Sequence, residues 1–313
     1  MKNSITFTLQ TMQEILPLLK SRLQTEDAIT FDVLNPDLAE AYAGEELYIN
    51  DTLYRYRGYK AWTDLAELLL CKMLTPKEST YPLVTLNFKK LEVKNSFHLD
   101  TQSPKEEKYG VDSPFSQIHK MEEPAFLYYY MQALENAKHH LKTRILNLGI
   151  NRADEFQVIK DSLDPDTYAN MELVGIDHSK TAIEYASSLF PEDNVHFYAE
   201  DINHLEHLTL GKFNLLISIG TLQSPSINFK PFFMSLVQNY LEKNAAIILG
   251  FPNSRWIGGE VVYGAKAPNY IMSEQSLLYN DVIFCKKYLQ QKKYRVTITG
   301  KQYVFLTASK IGV

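Results

Sequence analysis

Short apolar runs alternate with helix-like periodicities through the second half of the chain. Residues 144–149 carry Ile145, Leu146 and Leu148 and end in Gly149; a helical pattern over 151–159 follows. A second apolar run, 173–176, closes on Asp177, and a third, 195–198, closes on Glu200 and Asp201. Residues 213–220 predict a fourth strand, 228–242 a helix, 245–249 a fifth strand and 273–290 a long helix. Two further strands, 294–299 and 302–308, flank Gly300 and Lys301, a hairpin signal. Strands alternating with helices predict an α/β domain with a mostly parallel sheet. The first 110 residues follow another rhythm. Residues 10–24 predict a helix with Pro17 inside it, and 61–74 an amphipathic helix. Residues 81–91 predict a strand, with 93–99 as its partner, and 26–51 are mainly polar and acidic. The expected organisation is an α+β cap region over 1–110 and an α/β domain over 111–313, entered through a helix at 122–134.

Candidate chemistry gathers where the parallel strands end, the edge at which open α/β sheets bind ligands. Gly149 permits a sharp turn and close approach of a ligand. Asp177, with His178 beside it, ends the second strand, where a carboxylate can accept hydrogen bonds from both hydroxyls of a ribose. Asp201 ends the third strand and can take the exocyclic amine of an adenine that Ile202 covers. Each residue also has a plain structural use: Asp177 and Asp201 suit a helix cap or a turn.

Composition narrows the class. The 313 residues are 45% hydrophobic and 22% charged, with a formal net charge of −5 and a pI near 5.9. That balance suits a soluble globular protein and argues against a broadly basic nucleic-acid binder. Cys71 and Cys285, far apart and each in an apolar helical pattern, fit buried thiols in a reducing compartment. No signal-peptide pattern or membrane-length apolar run is evident, so a cytoplasmic protein is expected. The residues show no metal-ligand spacing, no Ser/His/Asp set and no P-loop.

Five strand–helix units closed by a helix and an antiparallel hairpin resemble the class I S-adenosylmethionine-dependent methyltransferases, over residues 114–311. The resemblance implies a Rossmann-like seven-stranded sheet of order 3-2-1-4-5-7-6, with strand seven antiparallel. The family's first motif is an acidic residue followed by Gly-x-Gly-x-Gly. Here Asn147 stands at the acidic position, only Gly149 remains of the glycines, and Asn151 and Ala153 replace the others. Asp154 and Glu155, one turn on, can supply the missing charge. By resemblance, S-adenosylmethionine lies against Asn147, Gly149, Asn151, Asp177, His178, Asp201 and Ile202, with Ser218 and Gly220 near its methionine end. Strand four ends in Gly220-Thr221-Leu222-Gln223, unlike the Asn-Pro-Pro-Tyr type of the enzymes that methylate exocyclic or amide nitrogens.

Methyl transfer from a sulfonium needs chiefly a positioned acceptor, so no obligatory catalytic signature is expected. Acceptor contacts are sought in the long connection 251–272, which carries Arg255, Trp256, Tyr263 and Lys266, and in Phe115 and Gln117 ahead of the first strand. A small molecule or protein is the preferred acceptor. RNA is a second class, suggested by the lysines of 286–293 and the aromatic–basic stretch 54–60; a non-catalytic cofactor-binding protein is a third. The sequence leaves the oligomeric state open.

Overall fold

The computed structural model describes residues 5–95, 107–263 and 275–312. The chain divides into two compact units, Met1–Ser96 with Trp256–Val262, and Phe97–Arg255 with Tyr263–Val313.

In the smaller unit, strand β1 (Ile5–Phe7) leads to helix α1 (Met12–Arg22). A capping box starts that helix: Thr11 Oγ1 accepts from the Glu14 amide, and Glu14 Oε2 accepts from the Thr11 amide at 2.6 Å. Strand β2 (Ala28–Leu34) is followed by the hairpin β3 (Glu46–Ile49) and β4 (Thr52–Arg55). Helix α2 (Tyr59–Leu68), β5 (Cys71–Met73), β6 (Lys77–Glu78) and β7 (Leu83–Lys90) complete it. Strand β7 pairs antiparallel with β2, β5 and β6, and β1 lies parallel to β2. Rings of Phe7, Phe31, Phe88 and Trp62 fill the core.

Three expectations for this region need correction. The helix expected over 61–74 stops at Leu68, because Leu70 takes a left-handed backbone (φ 53°) and turns the chain into β5. Cys71 therefore lies on a strand, whereas Cys285 is helical, and both thiols are free and buried. The partner of the strand near 83–90 is β2, hidden in a stretch read as polar. Its Ile29, Phe31 and Val33 alternate inward with polar residues between them. Residues 93–95 form one 3₁₀ turn, and most of the expected 93–99 strand lies outside the described residues.

The larger unit opens with helix α3 (Pro124–Ala137), whose first-turn proline needs no amide partner. Then come β8 (Arg144–Leu148), α4 (Asp154–Asp161), α5 (Pro165–Ala169), β9 (Glu172–Asp177), α6 (Lys180–Leu189) and β10 (Val195–Ala199). After a 3₁₀ turn at Ile202–His207 follow β11 (Phe213–Ile219), α7 (Phe229–Ser235), β12 (Leu241–Pro252), α8 (Gln275–Gln291), β15 (Tyr294–Gly300) and β16 (Tyr303–Lys310); between β12 and α8 the chain forms the hairpin strands β13 (Ser254–Ile257) and β14 (Glu260–Tyr263), of which Trp256–Val262 belong to the smaller unit. The seven-stranded sheet runs β10-β9-β8-β11-β12-β16-β15, which in chain order within the sheet is 3-2-1-4-5-7-6. All neighbours are parallel except β16, which is antiparallel to β12 and β15. Central strands β8, β9 and β11 are apolar on both faces because helices cover both, whereas β10 at the edge alternates. The helix expected over 228–242 ends as a π turn at Leu236–Tyr240, and β12 starts at Leu241, earlier than the expected Ala245. Among the described residues no helix is long and apolar enough to cross a membrane.

Candidate functional site

Strand β8 ends beneath a loop, 149–153, with three left-handed backbones in alternate positions. Gly149 has φ 76°, Asn151 φ 47° and Ala153 φ 64°. These are the three glycine positions of the motif described above. Asparagine adopts this conformation at little cost, and alanine at roughly 1–2 kcal/mol. The loop keeps a glycine-type path with one glycine, and helix α4 consequently starts at Asp154 rather than at Asn151. Gly149 is indispensable for a second reason: a Cβ there would lie 1.9 Å from Thr221 Oγ1.

The loop is laced onto the end of β9. The Gly149 and Ile150 amides donate to the Ile176 carbonyl at 2.8 and 3.2 Å. Asp177, 5% exposed, accepts from the Asn151 amide through Oδ2 and from the Ser179 amide through Oδ1, each at 3.0 Å. Each carboxylate oxygen retains a second acceptor site. His178 is exposed beside it, with Nδ1 3.4 Å from Asp177 Oδ1. Asn147 is 1% exposed, and its amide nitrogen has no hydrogen-bond partner among the described residues. A buried donor of this kind costs about 1–3 kcal/mol unless something accepts from it. Ser218 donates to the Leu148 carbonyl at 3.1 Å, tying β11 to β8, and Gly220 turns with φ 73° beside the Tyr303 hydroxyl.

Residues 107–120 form a strap over this edge. Glu107 Oε2 accepts from Ser179 Oγ at 3.0 Å and Thr181 Oγ1 at 2.5 Å, at the start of α6. The Tyr109 carbonyl accepts from Asn151 Nδ2 at 2.7 Å, and the Ser116 carbonyl from Arg152 Nη1 at 2.5 Å. The Tyr109 ring meets Phe115 at 5.0 Å and His178 at 6.3 Å. Phe115 thus belongs to the strap, and Gln117 is exposed. At the strap's end Lys120 lies over the rings of Phe115 and Tyr303. Burial opposes its ammonium, but Tyr303, Glu155 and Asp154 outweigh that and raise its pKa. Glu155 is itself buried, and burial pushes its carboxyl up to about 7, with Lys120 pulling the other way and Asp154 and Asp177 adding to the rise.

The remaining expected residues lie on other elements. Asp201 is exposed and caps the 3₁₀ turn, its Oδ1 accepting from the Asn203 amide and side-chain nitrogen, each at 2.9 Å. Ile202 is buried in the main core cluster. Arg255 and Trp256 lie on β13 and the exposed Tyr263 ends β14, so the expected loop 251–272 begins as strand and hairpin. Among the described residues Arg255 Nε is buried without a partner. Lys266 lies outside the described residues. Sequence reasoning passed over Glu107, Lys120 and Thr221, which reach this edge only through the fold.

A family model described as a methyltransferase domain matches residues 139–300. No curated protein matches the chain in sequence. Among solved structures, the fold is similar to the plantazolicin methyltransferase BpumL in complex with SAH, with 13% identity, covering 70% of this chain and 96% of that one, at a TM-score of 0.47. It is also similar to the N-methyltransferase NodS from Bradyrhizobium japonicum WM9 in complex with S-adenosyl-L-homocysteine (12% identity, 64% and 93% covered, TM-score 0.43). A third similar structure is the CurJ carbon methyltransferase (12% identity, 80% and 79% covered, TM-score 0.44).

Proposed function

Because this chain belongs to the methyltransferase-domain family, we propose that it transfers a methyl group from S-adenosylmethionine to a small-molecule or protein acceptor. When bound, that donor supplies a methyl already activated on a sulfonium; the chain's own work is to hold the two reactants in line. The observation that carries this reading is the loop at 149–153, which keeps three left-handed backbones although two of its three glycines are replaced.

The residues present fit the donor. Asp177, fixed by two backbone amides, offers its remaining acceptor sites to the ribose hydroxyls. Asn147 brings an unpaired buried amide donor, which suits the methionine carboxylate, where the family motif has a carboxylate. Asn147 carries no charge, so half-buried Lys120 and buried Glu155, which attract one another beside the start of α4, complement the amino-acid end. The strap 107–120 excludes water from the nucleoside side, through Glu107 on Ser179 and Thr181 and through Tyr109 on Asn151. Asp201 and Ile202 belong to the adenine end of this reading, Ser218 and Gly220 to the methionine end. On the acceptor side, Arg255, with its unpaired Nε, suits an anionic group.

Calorimetric titration of the full chain with S-adenosylmethionine and with its demethylated product tests the reading. One binding event per chain for each is expected, weakened in Asp177→Ala. Absence of heat and of competition at millimolar ligand would overturn it.

A further inference from the structure

The 3₁₀ turn Ile202–His207, directly after β10, carries a group of side chains that the donor reading does not use. The segment is two short 3₁₀ turns joined by a kink at His204. The rings of His204 and His207 lie 5.1 Å apart and nearly parallel, at 11°. One ligand atom each from His204, Glu206 and His207 lie within 4.8 Å of one another. His204 Nδ1 is 3.6 Å from Glu206 Oε1. Glu200, the residue before Asp201, approaches His207 alone, its Oε2 3.5 Å from His207 Nδ1.

These gaps have a chemical meaning. In a tetrahedral site with metal–ligand bonds of about 2.0–2.2 Å, neighbouring ligand atoms stand on the order of 3.4 Å apart. The His204–Glu206 gap is close to such an edge and long for a hydrogen bond. Two imidazoles with one carboxylate suit zinc and its borderline neighbours, a water taking the fourth position, whereas magnesium and calcium call for oxygen ligands alone. The turn needs no metal to form, since Asp201 caps it and Ile202 and Leu205 anchor it in the core. Its backbone leaves the helical region at His204 (φ −124°, ψ 35°), which sets that side chain apart from a regular turn.

We propose that His204, Glu206 and His207 bind one zinc-type divalent cation on the surface beside the end of β10, with Glu200 as a carboxylate neighbour of His207. The site does not rest on the methyl-transfer reading. Bound metal stabilises the native state by mass action.

The test uses the full chain, stripped with chelator, and zinc sulfate as the probe. Calorimetry should find one ion per chain, and zinc should raise the unfolding temperature while magnesium leaves it unchanged. Replacing a residue that merely orients a ligand commonly weakens metal binding 10–100-fold, so His204→Ala and His207→Ala should each raise Kd more than about tenfold. Cobalt(II) should give the intense visible absorption of a tetrahedral complex, lost in the double variant. Both histidines are exposed, so in chelator the variants should unfold at the temperature of the parent protein. His119→Ala, on the strap, should bind zinc unchanged. No zinc binding by the parent chain, or one ion retained with unaltered affinity by the double variant, would overturn the assignment.

Discussion

Replacing Glu155 by glutamine should make the protein more stable at neutral and alkaline pH, against the usual result of removing a buried charged residue. Its carboxyl titrates near 7 in the fold, chiefly because burial disfavours the charge. In the unfolded chain a glutamate titrates near 4.3. Between those values the fold holds a proton that the unfolded chain has released, so stability falls as pH rises through the window. Above it the penalty is complete. At 1.36 kcal/mol for each pH unit the ceiling is about 4 kcal/mol, and attraction to Lys120 is already contained in the value. Glutamine mimics the protonated acid, and the Tyr130 hydroxyl bonds only the backbone carbonyl of residue 155, which the substitution leaves in place. Urea unfolding of parent and Glu155→Gln should therefore differ by about 1 kcal/mol at pH 5 and by about 3–4 kcal/mol at pH 8, the variant being the more stable. A variant less stable than the parent at pH 8, or a difference that does not change with pH, would refute this. It would mean that pairing with Lys120 outweighs burial.

Four further substitutions probe the loop and its surroundings. Asp177→Ala should weaken donor binding by about 2–3 kcal/mol by calorimetry and also lower stability, since the Asn151 and Ser179 amides both lose their acceptor; unchanged affinity would place the ribose elsewhere. Gly149→Ala should destabilise by more than about 2 kcal/mol in denaturant unfolding, because its methyl meets Thr221 in a left-handed backbone, whereas Ala153→Gly should be neutral or stabilising by up to about 1 kcal/mol, relief of φ 64° offsetting a buried methyl. Arg255→Ala should lower methyl transfer to the true acceptor at least tenfold while donor affinity stays unchanged; a parallel loss of donor affinity would remove Arg255 from the acceptor side.

Much of the larger unit was legible because its signals are local. Apolar runs ending in Gly149, Asp177 and Gly220 mark buried parallel strands, and Gly300-Lys301 marks the hairpin that fixes β16 antiparallel. What escaped reading depended on contacts distant in sequence. Strand β2 is half polar, and only pairing with β7, more than fifty residues on, reveals its inward face. A single left-handed residue, Leu70, separated α2 from β5 within one apolar pattern. At the site, Gly149 and Asp177 were visible as residue types, but Asp177's engagement with the loop amides was not. Glu107 and Lys120 lay in a polar stretch whose position over α6 and α4 no periodicity encodes. The His204-x-x-His207 pair was passed over because its meaning comes from the kinked 3₁₀ segment that brings the two rings together.

The central claim is that the carboxyl ends of β8 and β9, under the loop 149–153, hold the methyl donor. A crystal structure of the full chain with S-adenosylhomocysteine tests it most directly. The account predicts ribose hydroxyls within hydrogen-bond distance of Asp177, a partner for the Asn147 amide nitrogen, and the strap 107–120 over the nucleoside. Ligand density at another place, with the Asn147 amide still unpaired and Asp177 bonded only to Asn151 and Ser179, would contradict it.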